Sequence, residues 1–177
     1  MAWSTPRTWV TGEMVTAALM NTYARDNLVS LRDQVACKIR RAGVAVSCAN
    51  GVDQTVDMDV TDFDSGGMAD LTNNWIVFPV SGKYVVGASL RFLAAGAGSR
   101  WLRIFYKDNT ALTATRIIGV ASEGYAASAT AMTAQGVYDC KAGDAVYLVA
   151  FQNSGAALNY TPTVPTDPCL YVAREGI

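Results

Sequence analysis

Histidine is absent from the 177 residues of this chain. Without it there is no Ser-His-Asp type of triad, no imidazole metal ligand and no residue of the kind that most often acts as general base. Ser65, Ser99 and Ser154 lie in segments of loop composition, and no base accompanies them to activate a nucleophile. No pair of carboxylates stands out as a glycosidase pair. The sequence therefore predicts that the protein is not an enzyme and that it has no cofactor.

Cysteine is scarce, and its spacing indicates no metal site. Cys37, Cys48, Cys140 and Cys169 include no C-x-x-C pair, so the sequence offers no zinc site. We expect free, buried thiols, as is usual for a protein made in a cytoplasm. A disulfide between Cys37 or Cys48 and Cys169 requires that the first and last strands be neighbours.

Charged residues make up only 16% of the chain, and the net charge is −1. A chain so nearly neutral gives no reason to expect nucleic acid or an anionic membrane as a partner. No long apolar run predicts a membrane span and no signal peptide is recognisable, so we expect synthesis in a cytoplasm. Hydrophobic residues reach 51%, which predicts a buried interface between subunits in addition to a core.

One helix is predicted, over residues 16–31, with Thr16 as its N-cap. Its apolar positions recur at alternating spacings of four and three, which is the pattern of a coiled-coil seam. The seam is too short to hold an oligomer alone. Either it aligns three copies of the chain, or the helix packs on its own domain. The spacing pattern begins at Ala17. The seam residues that follow it are Asn21, Ala24, Leu28, Leu31 and Val35.

The arm before the helix, residues 1–15, is short and aromatic. Trp3 and Trp9, together with Pro6 and Arg7, form apolar anchors within a polar rim, as interfaces do. A segment of this length does not fold by itself, so the rings need a surface to bury against. We expect the four residues to anchor the protein to a larger assembly. The alternative is that they fold back onto the helix or the body.

The rest of the chain predicts short strands separated by turns. Residues 83–93 alternate, with Tyr84 on the inward face, and residues 100–107 and 55–60 alternate as well. Residues 62–67 and 153–168 have loop composition. Eight or more such strands predict an all-β, antiparallel sandwich or barrel. Residues 145–151 are apolar on both faces, which predicts that one sheet is covered by a partner and that the protein is a homo-oligomer.

Two segments resemble a known jelly-roll pattern. Residues 75–86, with Trp75 or Phe78 followed by Pro79, Gly82 and Tyr84, resemble the F-x-x-P-x-x-G-x-Y motif of the C1q/TNF-like family. Residues 142–148 are similar to that family's G-D-x-V-x-L strand. The resemblance covers residues 37–177 and implies an antiparallel jelly-roll sandwich. Members of this family form compact trimers, so it also implies a homotrimer.

The N-terminal segment resembles something more specific. It matches the W-[ST]-T-P-R-T-W-x-x-G-E-x-V-T-A-A-x-x-N-x-x-x-R-D-N-L opening of virion proteins of tailed bacteriophages. The resemblance implies a virion structural protein, and we expect such a protein, made in the host cytoplasm, on the surface of the virion. It leaves open whether capsid or tail carries the protein.

Together these features predict a docking arm and helix over residues 1–36 and a jelly-roll domain over residues 37–177. The predicted function is a trimeric surface decoration or fibre module, held to other capsid or tail proteins by its N-terminal arm. The alternative is a fibre-tip or minor tail protein that binds a host-surface glycan. For that alternative, Tyr125, Tyr160 and the loop of residues 153–168 form a candidate receptor rim.

A run of acidic residues is the one candidate ion site. Asp57, Asp59, Asp62 and Asp64 carry the carboxylates that suit calcium, but their spacing does not match an EF-hand. The alternative is a solvated strand face followed by a turn.

Overall fold

The structure is a computed structural model that describes residues 4–32, 34–109, 115–124, 129–162 and 167–175. The chain divides into a first unit that ends at Gln34 and a second unit, Val35–Arg174. The first unit contains the arm and the helical segment. The second contains the strands.

The helical segment begins directly after Thr16, which is the N-cap residue predicted from the sequence. The Thr16 hydroxyl accepts a hydrogen bond from the backbone N–H of Leu19 at 3.3 Å, which is an N-cap. The predicted extent is nearly right, but the helix is not uniform. It consists of α1 (Ala17–Met20), a π-helical turn (Asn21–Arg25) and α2 (Asp26–Arg32).

The described part of the second unit forms thirteen strands in two antiparallel sheets. The first sheet has the order β10-β7-β13-β1-β4, with β12 paired to the end of β7 and β2 paired to β12. The second has the order β5-β6-β11-β8-β9, with β3 also paired to β11. The predicted all-β sandwich is confirmed. The strands are β1 (Ala36–Arg40), β2 (Val46–Cys48), β3 (Gln54–Thr55), β4 (Val60–Asp64), β5 (Ala69–Asp70), β6 (Trp75–Val77), β7 (Gly82–Phe92), β8 (Arg100–Lys107), β9 (Thr115–Glu123), β10 (Thr130–Cys140), β11 (Ala145–Gln152), β12 (Leu158–Tyr160) and β13 (Cys169–Arg174).

The core lies between the two sheets, and alternation along the strands predicted its faces. On β7 the inward residues from Tyr84 to Phe92 are all buried, and on β8 Leu102, Ile104 and Tyr106 are buried. The intervening residues point away from the core, as a period of two requires. The prediction that Tyr84 is buried is confirmed.

The two loop predictions are partly wrong. In residues 62–67, β4 continues to Asp64, because Asp62 pairs across the sheet with Lys38 at 2.9 Å and Arg40 at 2.5 Å on β1. In residues 153–168, the three residues of β12 pair with β2. For residues 55–60 the alternation of burial is right at Val56 and Met58, although β3 ends before them.

The two jelly-roll motifs meet at one end of the sandwich. The Phe78 backbone N–H donates to the Asp144 carbonyl at 2.8 Å, and the Gly143 N–H donates to the Phe78 carbonyl at 2.8 Å. The Phe78 ring also lies on Tyr84, with 4.7 Å between the ring centres. Phe78 is therefore the inward aromatic of the first motif, and Trp75 points outward.

Candidate functional site

The N-terminal arm lies along the helix of its own unit. The backbone N–H of Ser4 donates to the side-chain oxygen of Asn27 at 2.9 Å. The Asn27 amide donates in return to the Ser4 carbonyl at 2.9 Å and to the Tyr23 carbonyl at 3.3 Å. Asn27 is buried, so these are well-protected bonds. One side chain thus fixes the start of the arm to α2.

A cluster around Arg7 holds the rest of the arm. The Arg7 guanidinium lies 4.9 Å from the centre of the Trp9 ring and 5.8 Å from that of Tyr23, and it pairs with Glu13 at 2.5 Å. The two rings meet edge to face at 6.5 Å. Gly12 has φ +83°, a conformation that favours glycine, and it turns the chain just before Glu13.

These contacts place the predicted anchoring residues. Trp3 lies outside the described residues. Pro6 is exposed, Arg7 is half-buried in its cluster, and Trp9 remains 42% exposed. The arm therefore packs on the helix, which is the second of the two alternatives given above. Anchoring to another protein stays a prediction, and Trp9 is the described aromatic ring of the arm that is open to a partner.

The predicted seam residues differ in their exposure. Asn21 and Leu28 are exposed and Ala24 is half-buried. The side chain of Leu31 lies outside the described residues. Val35 belongs to the second unit, where it packs against the jelly-roll core. The seam prediction is wrong for Val35, because the chain has already entered the strand unit there.

The outward side of the first sheet, which we call the front face, carries mostly small side chains. A Cβ on Gly87 would lie 2.2 Å from the Tyr171 ring, so this ring rests directly on the glycine backbone. A groove of about 530 Å³ runs between Lys38, Phe63 and Gln135. Phe63 is 49% exposed. The outward residues of β7, β10 and β13 include Val85, Gly87, Ser89, Ala131, Thr133, Gln135, Val137, Cys169, Tyr171 and Ala173.

The outward side of the second sheet, the back face, carries rows of aromatic side chains. In one row Tyr147 lies between Trp75 and Phe105, with ring centres 6.1 and 5.4 Å apart. In another row Trp101 meets Phe151 at 6.1 Å. The register places the members of each row on neighbouring strands.

Arg103 joins the row of Trp101 and Phe151. Its guanidinium lies 4.4 Å from the Trp101 ring centre and 5.1 Å from that of Phe151, and it pairs with Asp53 at 2.5 Å. Val149, beside it on β11, is buried within the chain. The second face of residues 145–151 is therefore covered only in part, since Ala145 and Val149 are buried while Tyr147 and Phe151 are half-buried. The homo-oligomer inferred from this strand stays a prediction.

A cleft of about 280 Å³ opens at one end of the back face. Its floor is formed by the small residues Gly143 and Ala145, and Trp75 forms one wall. The ammonium group of Lys107 lies over this wall, 4.0 Å from the centre of the Trp75 ring. Asp70, Val77 and Asn109 complete the lining.

A buried carboxylate supports this cleft from beneath. Asp144 is 1% exposed and accepts hydrogen bonds from the Tyr106 hydroxyl, from the Asn109 backbone N–H at 2.9 Å and from the Lys141 N–H at 3.3 Å. Burial, and then the bond to Asp144, hold the pKa of Tyr106 well above its ordinary value. Gly143 has φ +87°, and a Cβ there would lie 2.6 Å from the Asn109 side-chain amide.

The predicted receptor rim is not assembled in the described residues. Tyr160 is fully buried, and its hydroxyl accepts a hydrogen bond from the Asp57 N–H at 3.3 Å. The prediction is therefore wrong for Tyr160, because a strand hidden in the polar segment carries the ring into the core. Tyr125 lies outside the described residues.

The carboxylates considered for calcium are engaged by the protein itself. Arg41 pairs with Asp57 at 2.6 Å and with Asp59 at 3.5 Å. Asp62 pairs with the cations of β1, as described above. Burial of the Asp64 carboxyl opposes its ionisation, but backbone N–H groups of residues 66–69 outweigh this and hold its pKa below the ordinary value. Within the described ranges no group of three or more acidic or cysteine side chains converges as cation ligands.

All four cysteines are free thiols. The first and last strands are indeed neighbours, but Cys169 lies opposite Arg40 and Cys37 opposite Val172. Burial raises the pKa of Cys37 to about 12 and that of Cys48 to about 11. The predicted free state is thus confirmed, and these two buried thiols are unreactive.

Comparison with known proteins identifies the fold. The chain is similar to murine APRIL, with a TM-score of 0.63 and 9% identity over 80% of this chain and 99% of that one. It is similar to Eiger TNF from S. frugiperda, with a TM-score of 0.65 and 10% identity over 81% and 94%. No protein-family model and no curated protein matches the sequence. Among the described helices none is long and apolar enough to span a bilayer. The similarity to these two solved structures shows that the second unit has a TNF-like jelly-roll fold.

Proposed function

We propose that this protein is a structural component of a tailed-bacteriophage virion, a homotrimeric surface decoration or fibre module held to capsid or tail proteins by its N-terminal unit. The observation that carries the proposal is the match between the virion-type opening and the contacts of the arm. Arg7, Trp9, Gly12, Glu13 and Asn27 all belong to that opening, and each of them shapes the arm or holds it on the helix. The motif thus encodes a folded attachment unit.

Attachment depends on the arm in this proposal. Deleting residues 1–15 should leave the jelly roll folded, because no described residue before Val35 contributes to its core. The truncated protein should no longer be present on purified particles, as measured with an antibody on gradient-purified virions. Ser122→Ala, an exposed change on the back face of the jelly roll, should attach normally. Decoration of virions by the truncated protein would show that the arm is not the anchor.

The front face is the surface that we assign to the trimer. Its short side chains let a second chain approach closely, and its half-exposed Phe63 and Val137 gain burial on contact. The aromatic rows of the back face already cover one another. The TNF-like fold and the family resemblance of the sequence also support a trimer.

Two arginine substitutions distinguish the faces. Thr133→Arg places a bulky charge among the short side chains of the front face, where a partner chain would have to remove it from water, so we expect dissociation to folded monomers. Ser122→Arg puts the same charge at an exposed position on the edge strand of the back face and should leave a trimer. Sedimentation measures both. A monomeric parent at micromolar concentration, or dissociation only by Ser122→Arg, would contradict the assignment.

Recognition of a host-surface glycan is the second candidate function. The specific observation in its favour is the cleft beside Trp75, which combines an aromatic wall with three polar side chains. The loop rim predicted from the sequence does not support it, since Tyr160 is buried.

A further inference from the structure

We propose that the cleft between β6 and the end of β8 binds a single neutral sugar ring, with Trp75 as the stacking wall and Asp70, Lys107 and Asn109 as its hydrogen-bonding partners. The inference rests on the second candidate function and gives it a site. It does not depend on where in the virion the protein is carried.

The shape of the cleft follows from its small residues. Ala145 lies opposite Val77 on one neighbouring strand and opposite Lys107 on the other, so a short side chain stands between two taller ones. Gly143 extends this low floor. The volume of about 280 Å³ is at the small end of ligand pockets, which suits one ring.

The lining selects the chemistry of the ligand. The Trp75 ring offers an apolar surface to the C–H face of a pyranose. Around it stand a carboxylate that accepts, an ammonium group that donates and an amide that does both. Hydroxyl groups both donate and accept, so a polyhydroxylated ring can satisfy all three. Asp70 and Lys107 carry opposite charges, so the lining favours a neutral ligand over an anion or a cation.

Lys107 is available to a ligand. Its ammonium group contacts the Trp75 ring, and no carboxylate in the described part of the chain pairs with it. A sugar that stacks on the ring takes the place of this group, which then donates to the ligand from the side. Asp70 is held in position by Asn73, whose amide donates to it at 2.7 Å and whose backbone N–H donates at 3.1 Å.

The backbone of the cleft is fixed at the side where Asn109 and Gly143 lie. The Asn109 N–H donates to the Asp144 carboxylate, and the Gly143 N–H donates to the Phe78 carbonyl. Glycine is required at 143, because any side chain there would displace the Asn109 amide and would need a positive φ. Lys107 is the lining residue that has to move when a sugar stacks on Trp75, and the rest of the lining is already in place, which favours weak ligands such as monosaccharides.

Saturation-transfer difference NMR on the purified full-length protein tests the site. The probes are glucose, galactose, mannose, rhamnose and N-acetylglucosamine, each at about 10 mM, since a dissociation constant on the order of 1 mM is expected for one ring. At least one sugar should receive saturation. Trp75→Ala should weaken its binding about tenfold by removing the stacking wall. Ala145→Val, which fills the floor with a residue that suits a strand, should abolish binding.

Trp101→Ala is the matched control, because it removes an aromatic ring from another row of the same face. It should bind the sugar like the parent. If Trp75→Ala does not fold, Ala145→Val and Lys107→Met carry the test. Binding that survives Ala145→Val would place the sugar elsewhere and overturn the site alone. A parent protein that binds none of the five sugars would overturn both the site and the glycan-binding candidate, and the virion attachment measured above would be unaffected.

Discussion

Tyr84→Ala is expected to lower the free energy of unfolding by about 3–5 kcal/mol, as truncation of a buried aromatic residue does. Tyr84 is fully buried against Phe78, and its hydroxyl donates to the Val80 carbonyl at 2.8 Å. The substitution removes the ring and also leaves that carbonyl without its donor. The melting temperature should fall by about 10 °C. In the trimer that we propose, association would stabilise the folded subunit, so trimer and fold should be lost in one transition.

Tyr84→Phe separates the two contributions. It keeps the ring and removes only the hydrogen bond, so we expect a loss of about 1 kcal/mol. Lys83→Ala, at the next and outward position of β7, should change the melting temperature little. Calorimetry or thermal circular dichroism measures all three. A Tyr84→Ala protein that melts like its parent would mean that the inward and outward faces of β7 are reversed.

Asp144→Ala should destabilise the protein by a similar amount, about 3–5 kcal/mol, because it removes the shared acceptor of a buried network. The Tyr106 hydroxyl and the N–H groups of Asn109 and Lys141 all donate to this carboxylate. After the substitution these donors lose their partner at one end of the sandwich. The turn that carries Asn109 should loosen as well, so amide hydrogen exchange at Asn109 should become faster than in the parent.

Two control substitutions accompany Asp144→Ala. One has the same size at the same position, and the other removes a nearby exposed carboxylate. Asp144→Asn keeps one acceptor oxygen but turns an NH2 group toward the donors on its other side, so it should cost less than Asp144→Ala and still lower the stability clearly. Asp139→Ala removes an exposed carboxylate near the same turn and should have almost no effect. Denaturant unfolding measures the free energy of unfolding of each variant, and an unchanged m-value makes these free energies comparable. Equal stability of Asp144→Ala and Asp139→Ala would show that the network contributes nothing to the fold.

The long strands were predictable, because their alternation is a local property of the sequence. Every inward residue from Tyr84 to Phe92 was assigned to the correct face on this basis alone. Short or charged strands were missed for a physical reason. Composition marks residues 62–64 as a loop, but Lys38 and Arg40 neutralise Asp62 from the neighbouring strand. Such a pair depends on register, which no local pattern reveals.

The candidate cleft could not be predicted from local sequence patterns, because it too depends on strand pairing and register. Trp75 and Lys107 stand on strands that are brought together only because β11 lies between them. The one signal in the sequence was the pair of small residues, Gly143 and Ala145, on either side of Asp144. The residues of the arm form a recognisable sequence pattern, which predicts that they anchor the protein. Their contacts with the helix could not be predicted, because these depend on the directions of the Tyr23 and Asn27 side chains.

The π-helical turn at Asn21–Arg25 changes the angular phase of the helix. Each residue advances an α-helix by about 100°, and a π turn takes in one residue more than an α turn does. Positions before it are therefore rotated by about 100° relative to where a uniform helix would place them. Ala17 and Leu28, which share a face in a uniform heptad pattern, point in different directions. A bundle that packs through Leu28 would leave Ala17 pointing away from the bundle axis. Three copies of this helix could then pack along α2 but not along the whole helix.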